Sequence, residues 1–302
     1  MKKLIFLFSL FCSMIVFSQN EQLAQNETNI QKGLDNLHVN TLKVNDSIGL
    51  LMKECDNQIK IENDSLSKNK LELRLSDLWN IKDQNTIAEL QLELEFAKKN
   101  PSSLKCLQLI NMRMHRFEGM NFYDSFYDIY QNLSPEIKKS EEGKKMAEGL
   151  NYFKQSKVGS VAPEFKVKDI DGKQLSLKDY IEKKYVLIDF WASWCAPCRE
   201  ELTYIKQLYE LYDEEGLEII SITKDENLES WKKAILKEKI DSWRHFSIVE
   251  NNDSILKDYY VFGIPHKILI DKNGMIIGKW KGGGEKNKQD LQLLLREVFE
   301  KK

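Results

Sequence analysis

The most constraining feature of this chain is an abrupt change of character between residues 185 and 201. Tyr185 to Phe190 is a continuous apolar run broken only by Asp189, and WASWCAPCREE, Trp191 to Glu201, follows at once. An unalternating run of that length suits a central strand buried on both faces. Pro197 and the amphipathic stretch to Tyr212 then predict a helix. The junction is therefore a buried strand feeding a helix through a turn that holds Cys195 and Cys198. Cysteine is scarce, five in 302 residues, so two placed this close ask for an explanation. A redox switch, half of a zinc site and an inert packed pair are the candidates.

The pattern beyond residue 158 extends this junction into a domain. Phe165 and Val167 alternate with lysines, Asp171-Gly172 turns, and Gln174 to Leu177 returns, which predicts a β-hairpin. Leu217 to Thr223, His266 to Ile270 and Met275 to Trp280 read as strands. Leu228 to Lys237, Ser254 to Tyr260 and Lys288 to Phe299 read as helices. The alternation implies an α/β domain with a mostly parallel sheet and an antiparallel hairpin at its end.

Residues 19–157 read as helical. Leu71, Leu75, Leu78 and Trp79 share one helical face, and so do Ile87, Leu90, Leu94 and Ala97. Asn100 to Ser103 stops one helix and caps the next, which carries Cys106, Ile110, Met114 and Phe117. Ser134-Pro135-Glu136 is a further start. Before Leu71 the chain is polar and fits either a long solvated helix or partial disorder.

At the N-terminus Lys2 and Lys3 precede an apolar run from Leu4 to Phe17, too short to span a bilayer comfortably. Residues 1–18 are expected to be a signal peptide cut after Ser18. Phe11 is bulky for a lipidated Cys12, and a retained membrane anchor is the alternative. Forty-five basic and forty-seven acidic residues leave a net charge of −2, which gives no reason to expect a nucleic-acid partner. Export matters for Cys55, Cys106, Cys195 and Cys198, since outside the cytoplasm thiols within reach cross-link. Adjacency favours Cys195 with Cys198. A zinc site would need a second pair, and Cys55 and Cys106 are lone residues of another region. His38, His115, His245 and His266 show no metal-ligand spacing.

The chemistry favours redox. Cys195 is expected at a helix N-terminus, where unpaired N–H groups and the helix dipole stabilise a thiolate. Cys198, one turn in, is more buried. The first thiolate then attacks a disulfide and the second resolves the intermediate. A carboxyl on a buried strand is expected to have a raised pKa, which fits Asp189 to carry a proton for Cys198.

YVLIDFWASWCAPCREE resembles the active-site segment of thioredoxins, and most closely that of the exported TlpA/ResA-type thiol–disulfide oxidoreductases. VGSVAPEFKVKDIDGKQLSL is similar to their leading hairpin, and VFGIPHKILIDKNGMIIGKWKG to their cis-proline segment and closing hairpin. The resemblance covers about residues 158–300. It implies a thioredoxin-like fold, a central mixed sheet flanked by helices, after a helical region. Cys195 would be the nucleophile, Cys198 the resolving thiol, Asp189 the buried acid and Ile264-Pro265 the cis-proline loop. Trp194, Ala196, Pro197 and Ile264 would touch the substrate. Glu201 stands where ResA-type members have a functional glutamate, although a solvated helix glutamate fits equally. Thr203 replaces a helix-kinking proline. His266 replaces the usual threonine and reads as an exposed strand-start residue.

The implied activity is disulfide exchange with proteins of the cell envelope, as a reductase, with no metal or organic cofactor. A membrane electron donor is a further candidate partner. A partner-binding platform and a thiol peroxidase of the AhpC/TSA type are the alternatives, the latter lacking the expected proline before Cys195. Gly282-Gly283-Gly284 lacks the Lys-Ser/Thr of a phosphate loop and reads as a flexible turn.

Overall fold

The computed structural model describes the backbone of residues 2–116, 118–251 and 254–300, with side chains from residue 25 onwards except Asn40 and Glu118. The expected leader falls before the described side chains, and Phe117 lies outside the described residues. Among the described residues no helix is long and apolar enough to cross a membrane. The chain divides into two compact units, residues 1–147 and 148–302.

The first unit is built from α1 (Lys2–Ile61), α2 (Ser65–Lys99), α3 (Leu104–Met114), α4 (Tyr123–Asn132), α5 (Pro135–Lys139) and the start of α6 (Glu141–Gln155). α1 and α2 form an antiparallel hairpin. Cys55 Sγ donates to the Leu71 carbonyl at 3.1 Å, Asn85 to Asn45 at 2.9 Å, and His38 meets Glu93 at 2.7 Å. Contact partners thus rise on one helix as they fall on the other. Gly33 lets the helices close, since a Cβ there would lie 2.6 Å from the Phe96 ring. The polar segment before Leu71 is neither disordered nor evenly solvated. Ile30, Leu34, Thr41, Ile48, Met52 and Cys55 are buried, at steps of three, four and seven. Averaged polarity concealed that stripe. Leu90, Leu94 and Ala97 are buried as the periodicity predicts, whereas Trp79 is half exposed. Ser103 and Ser134 cap α3 and α5, accepting from Cys106 N and Ile137 N.

The second unit contains β1 (Lys166–Lys168), β2 (Gln174–Ser176), β3 (Tyr185–Trp191), α7 (Ala196–Tyr212), β4 (Leu217–Thr223), α8 (Leu228–Glu238) and β5 (Arg244–Ser247). It continues through α9 (Ile248–Asn251), α10 (Ser254–Asp258), β6 (His266–Ile270), β7 (Ile276–Lys281) and α11 (Glu285–Phe299). The main sheet runs β5-β4-β3-β6-β7, and the hairpin β1-β2 stands apart as its own sheet. β3 pairs parallel with β4 and β4 with β5, while β3 with β6 and β6 with β7 are antiparallel. The sheet is therefore evenly mixed, not mostly parallel. β5 was not expected, because Arg244-His245-Phe246-Ser247 is short and has Phe246 as its one apolar residue. His245 is nonetheless buried, its Nε2 2.7 Å from the Ile240 carbonyl.

Central β3 explains its own composition. Val186, Ile188 and Phe190 enter the core on one face, while Leu187 and Trp191 enter the core under α7 on the other. Asp189 shares the α7 face.

The segment 157–161 has exposed side chains but is not a free linker. Gly159 N donates to the Ile276 carbonyl at 2.8 Å, Ala162 N to Gly274 at 2.8 Å, and Ile276 N to Ser160 at 2.9 Å. Upstream, buried Phe153 stacks on Tyr260 at 4.7 Å, and Lys279 Nζ donates to the Ser156 and Tyr259 carbonyls. The end of α6 thus belongs to the α/β unit. A fragment starting at residue 158 should be less stable than one starting at residue 141 by about 3 kcal/mol, the scale of burying one phenylalanine. Urea denaturation of the two fragments checks this, and equal midpoints would mean that α6 adds nothing.

Candidate active site

The redox pair sits where the chain leaves the C-terminal end of β3. Thr223, at the end of neighbouring β4, donates through Oγ1 to Asp225 at 2.6 Å. The same carboxylate accepts from Ser193 N at 2.7 Å and Ser193 Oγ at 2.6 Å. Asp225 is buried, so these bonds pin the turn before Cys195. Cys195 is the N-cap residue of α7, its sulfur accepting from Cys198 N at 3.3 Å. Pro197 occupies the first turn, where its missing N–H costs nothing. Cys195 and Cys198 are joined in a disulfide with Cα atoms 5.3 Å apart, while Cys55 and Cys106 are free and buried. α7 runs unbroken through Thr203.

Around the disulfide the surface is uneven. Trp194 is 67% exposed, and Ala196 and Pro197 are exposed beside it. Ile264-Pro265 is a cis peptide. The register Phe190–His266 sets Pro265 beside the end of β3 from which the cysteine turn departs. Gly282, at φ +77°, donates to the Pro265 carbonyl at 2.8 Å. A Cβ at Gly283 would lie 3.3 Å from Glu201 Oε1 and 3.9 Å from Pro197. Within the triglycine turn Gly282 is held by its bond to Pro265, while Gly283 and Gly284 are exposed. A cavity of about 570 Å³ bounded by Asp169, Lys184, Tyr209, Asp241 and Trp243 shares no residue with this region. Cys195 and Cys198 are themselves buried, at 6% and 2% exposure, directly beneath the exposed Trp194, Ala196 and Pro197.

Beneath the surface lies a charged cluster. Asp189 is 2% exposed, and burial raises its pKa, with Lys267 opposing. Glu201 is also buried, which corrects the solvated reading; burial raises its pKa and Lys267 again opposes. Lys267 pairs across the strands with Asp189, its Nζ 3.7 Å from Asp189 Oδ1 and in direct contact with Glu201 Oε2. His266 is wholly buried, edge-on to Phe190, contrary to the exposed position expected. Burial and the nearby Lys279, Lys281 and Lys267 hold it well below the usual histidine pKa, so it stays neutral.

Lys267 and Asp225 escaped the reading of the sequence. Lys267 carried the same signal as Asp189, a charge interrupting a buried strand. Asp225 lies two residues past the threonine of another such strand.

Elsewhere, His38, Glu89 and Glu93 converge from positions 51 and 55 residues apart. Arg113 already supplies a cation there, donating to both Glu93 oxygens at 2.6 Å.

Residues 158–279 match the AhpC/TSA family. The chain is 34% identical over 151 residues to the thiol-disulfide oxidoreductase ResA of Bacillus thuringiensis, covering 49% of this chain and 83% of that one. To ResA of Geobacillus thermodenitrificans it is 32% identical, with the same coverage of 49% and 83%. Among solved structures it is similar to the thioredoxin domain of a thiol-disulfide oxidoreductase from Bacteroides vulgatus, at 33% identity and a TM-score of 0.41, covering 46% of this chain and 98% of that one.

Proposed function

This chain belongs to the AhpC/TSA family, together with the ResA-type thiol–disulfide oxidoreductases, and we propose that it reduces disulfides of exported proteins through Cys195 and Cys198. One observation carries the reading: a disulfide whose first sulfur caps a helix directly beside the exposed Trp194, Ala196 and Pro197, while its second lies one turn further in. In the reduced enzyme the Cys195 thiolate attacks a partner disulfide, forming a mixed disulfide and expelling one partner thiolate. Cys198, its proton passed to Asp189, then attacks the Cys195 sulfur and releases the second thiolate. Sulfur performs the whole exchange, so no metal or organic cofactor enters the scheme.

Trp194, Ala196, Pro197 and Ile264 offer the partner an apolar rim, with Pro265 behind it. The N-terminal apolar run supports export, and with it partners in the cell envelope and a membrane electron donor. Insulin reduction driven by dithiothreitol tests the activity. The wild type should accelerate it and Cys195→Ser should not; equal rates would overturn the reading.

Asp189→Asn supplies a further test, with two opposite outcomes. Burial raises this carboxyl above its ordinary 3.8, so the folded state binds its proton more tightly than the unfolded chain. Its contribution is therefore lost as pH rises from 3.8 through the folded value, leaving a penalty at higher pH. Asparagine removes that penalty. The variant should be more stable than the wild type above the folded pKa, with a flatter stability profile, yet resolve mixed disulfides about tenfold more slowly. Urea midpoints across pH and stopped-flow resolution rates read the two effects. An unchanged resolution rate would make Asp189 purely structural.

A further inference from the structure

Three buried charged side chains meet under the first turns of α7, and their arithmetic does not balance. Asp189 comes from β3, Lys267 from β6 and Glu201 from α7. The two carboxyls share one ammonium. Its Nζ touches Glu201 Oε2 and stands 3.7 Å from Asp189 Oδ1. Among the described residues Asp189 Oδ2 and Glu201 Oε1 have no hydrogen-bond partner. Glu201 Oε1 is itself buried, so solvent does not screen that carboxyl. With both carboxyls ionised, the cluster would bury an uncompensated negative charge, which is costly in a low-dielectric interior. While the disulfide is closed one proton therefore rests in the cluster, and the carboxyl further from the ammonium holds it at less cost.

We propose that Lys267 is a positioning residue: by pairing with Glu201 it confines the cluster's exchangeable proton to Asp189, where that proton serves Cys198. The assignment rests on the thiol–disulfide reading above and deepens it. When a partner thiolate attacks Cys195, a new S–S bond forms, the Cys195–Cys198 bond breaks, and Cys198 leaves with the electron pair. The Asp189 carboxyl then gives its proton to that sulfur. In the reverse step the Asp189 carboxylate takes the proton from Cys198 as its sulfur attacks Cys195. Glu201 stays paired throughout, so its charge neither gains nor loses a counterion during exchange.

The surroundings contain few competitors. Tyr204, from α7, is buried and held neutral, its pKa raised first by burial and then by Glu201 and Asp189. Glu200 and Glu285 act on Glu201 and Tyr204 respectively, as lesser influences. Across β7 the neighbour of Lys267 is Trp280, which carries no charge. His266, the next residue along β6, points to the opposite face, where it packs on Phe190.

The test uses the reduced full-length protein and an aromatic disulfide, 5,5′-dithiobis(2-nitrobenzoate), whose thiolate is coloured. Attack by Cys195 releases the first equivalent, and attack by Cys198 on the adduct releases a second. The second phase is followed across pH in the wild type, Lys267→Met, and the double variant Lys267→Met/Glu201→Gln. Lys267→Met should raise the pH midpoint of the second phase by about one unit and slow it about tenfold on the rising limb, leaving the first phase unchanged. The double variant removes a neutral pair and should return the midpoint to that of the wild type. Because it buries no unpaired charge, it remains informative if the single variant does not fold. An unmoved midpoint in Lys267→Met, or a double variant whose midpoint stays away from the wild type, would overturn the proposal. Absence of the first phase in the wild type would overturn the thiol–disulfide reading itself.

Discussion

Cys198→Ser, produced in the cell envelope, is expected to accumulate covalent complexes that dissolve on adding dithiothreitol. The reasoning follows from the two sulfurs' positions. Cys195, 6% exposed, caps α7 next to the exposed Trp194, Ala196 and Pro197, and Cys198, one turn further in, is 2% exposed. A serine at 198 leaves the first attack intact and removes the thiol, one turn further along α7, that would undo it. Turnover in the insulin assay should fall to background while the trapped species build up. Cys195→Ser should lose turnover equally but trap far less, because the remaining thiol is shielded. Mass spectrometry of the trapped complexes then identifies the substrates. A Cys198→Ser protein that traps nothing, under conditions where the wild type cycles, would contradict the order of attack.

The parts of this site legible in the sequence are those with a local signature. A buried strand, a proline and two cysteines with two residues between them place the disulfide at a helix N-terminus without any tertiary information. Asp189 was legible because burial makes a lone charge conspicuous on an apolar run. What escaped depends on pairing between distant segments. Lys267 has meaning only once β6 lies antiparallel to β3, which sets it opposite Asp189. The exposed reading of His266 failed for the same reason: a polar residue at a strand start gives no sign that Phe190 will cover it. Gly282 to Gly284 read as slack chain, yet Gly282 is tied to the Pro265 carbonyl, a partner set by the fold and not by local sequence.

The fold shows the same division. β3, β4 and β6 announce themselves by mostly apolar content, because each is covered on both faces. β5 does not, since it contributes four residues at the sheet edge. In the helical unit the buried stripe of α1 includes Thr41 and Cys55 and spans long steps, so composition outweighed periodicity. His38, Glu89, Glu93 and Arg113 lie on three different helices and share no local pattern.

That last cluster carries the largest stability effect expected in the helical unit. Glu93 is fully buried, and Arg113 grips both its oxygens at 2.6 Å while reaching Glu89 at 3.1 Å. Burial alone would lower the guanidinium pKa, but Glu93 and Glu89 raise it on balance. Arg113→Met leaves the Glu93 charge buried with only His38 beside it, and breaking a buried pair in this way costs about 3–5 kcal/mol. At an m-value of about 2 kcal/mol/M, the urea midpoint of the helical unit should fall by about 2 M. Arg113→Met/Glu93→Leu removes both charges and should recover most of the loss. Two probes separate the units. Far-UV circular dichroism is dominated by the long helices, while tryptophan fluorescence reports the α/β unit, which holds all six tryptophans but Trp79. Only the first transition should move in Arg113→Met, and a loss below about 1 kcal/mol would show that the pair contributes little. Insulin reduction under native conditions should be unchanged, because neither cysteine of the redox pair lies in the perturbed unit. A fall in that rate, with the α/β transition intact, would instead assign the helical region a part in exchange.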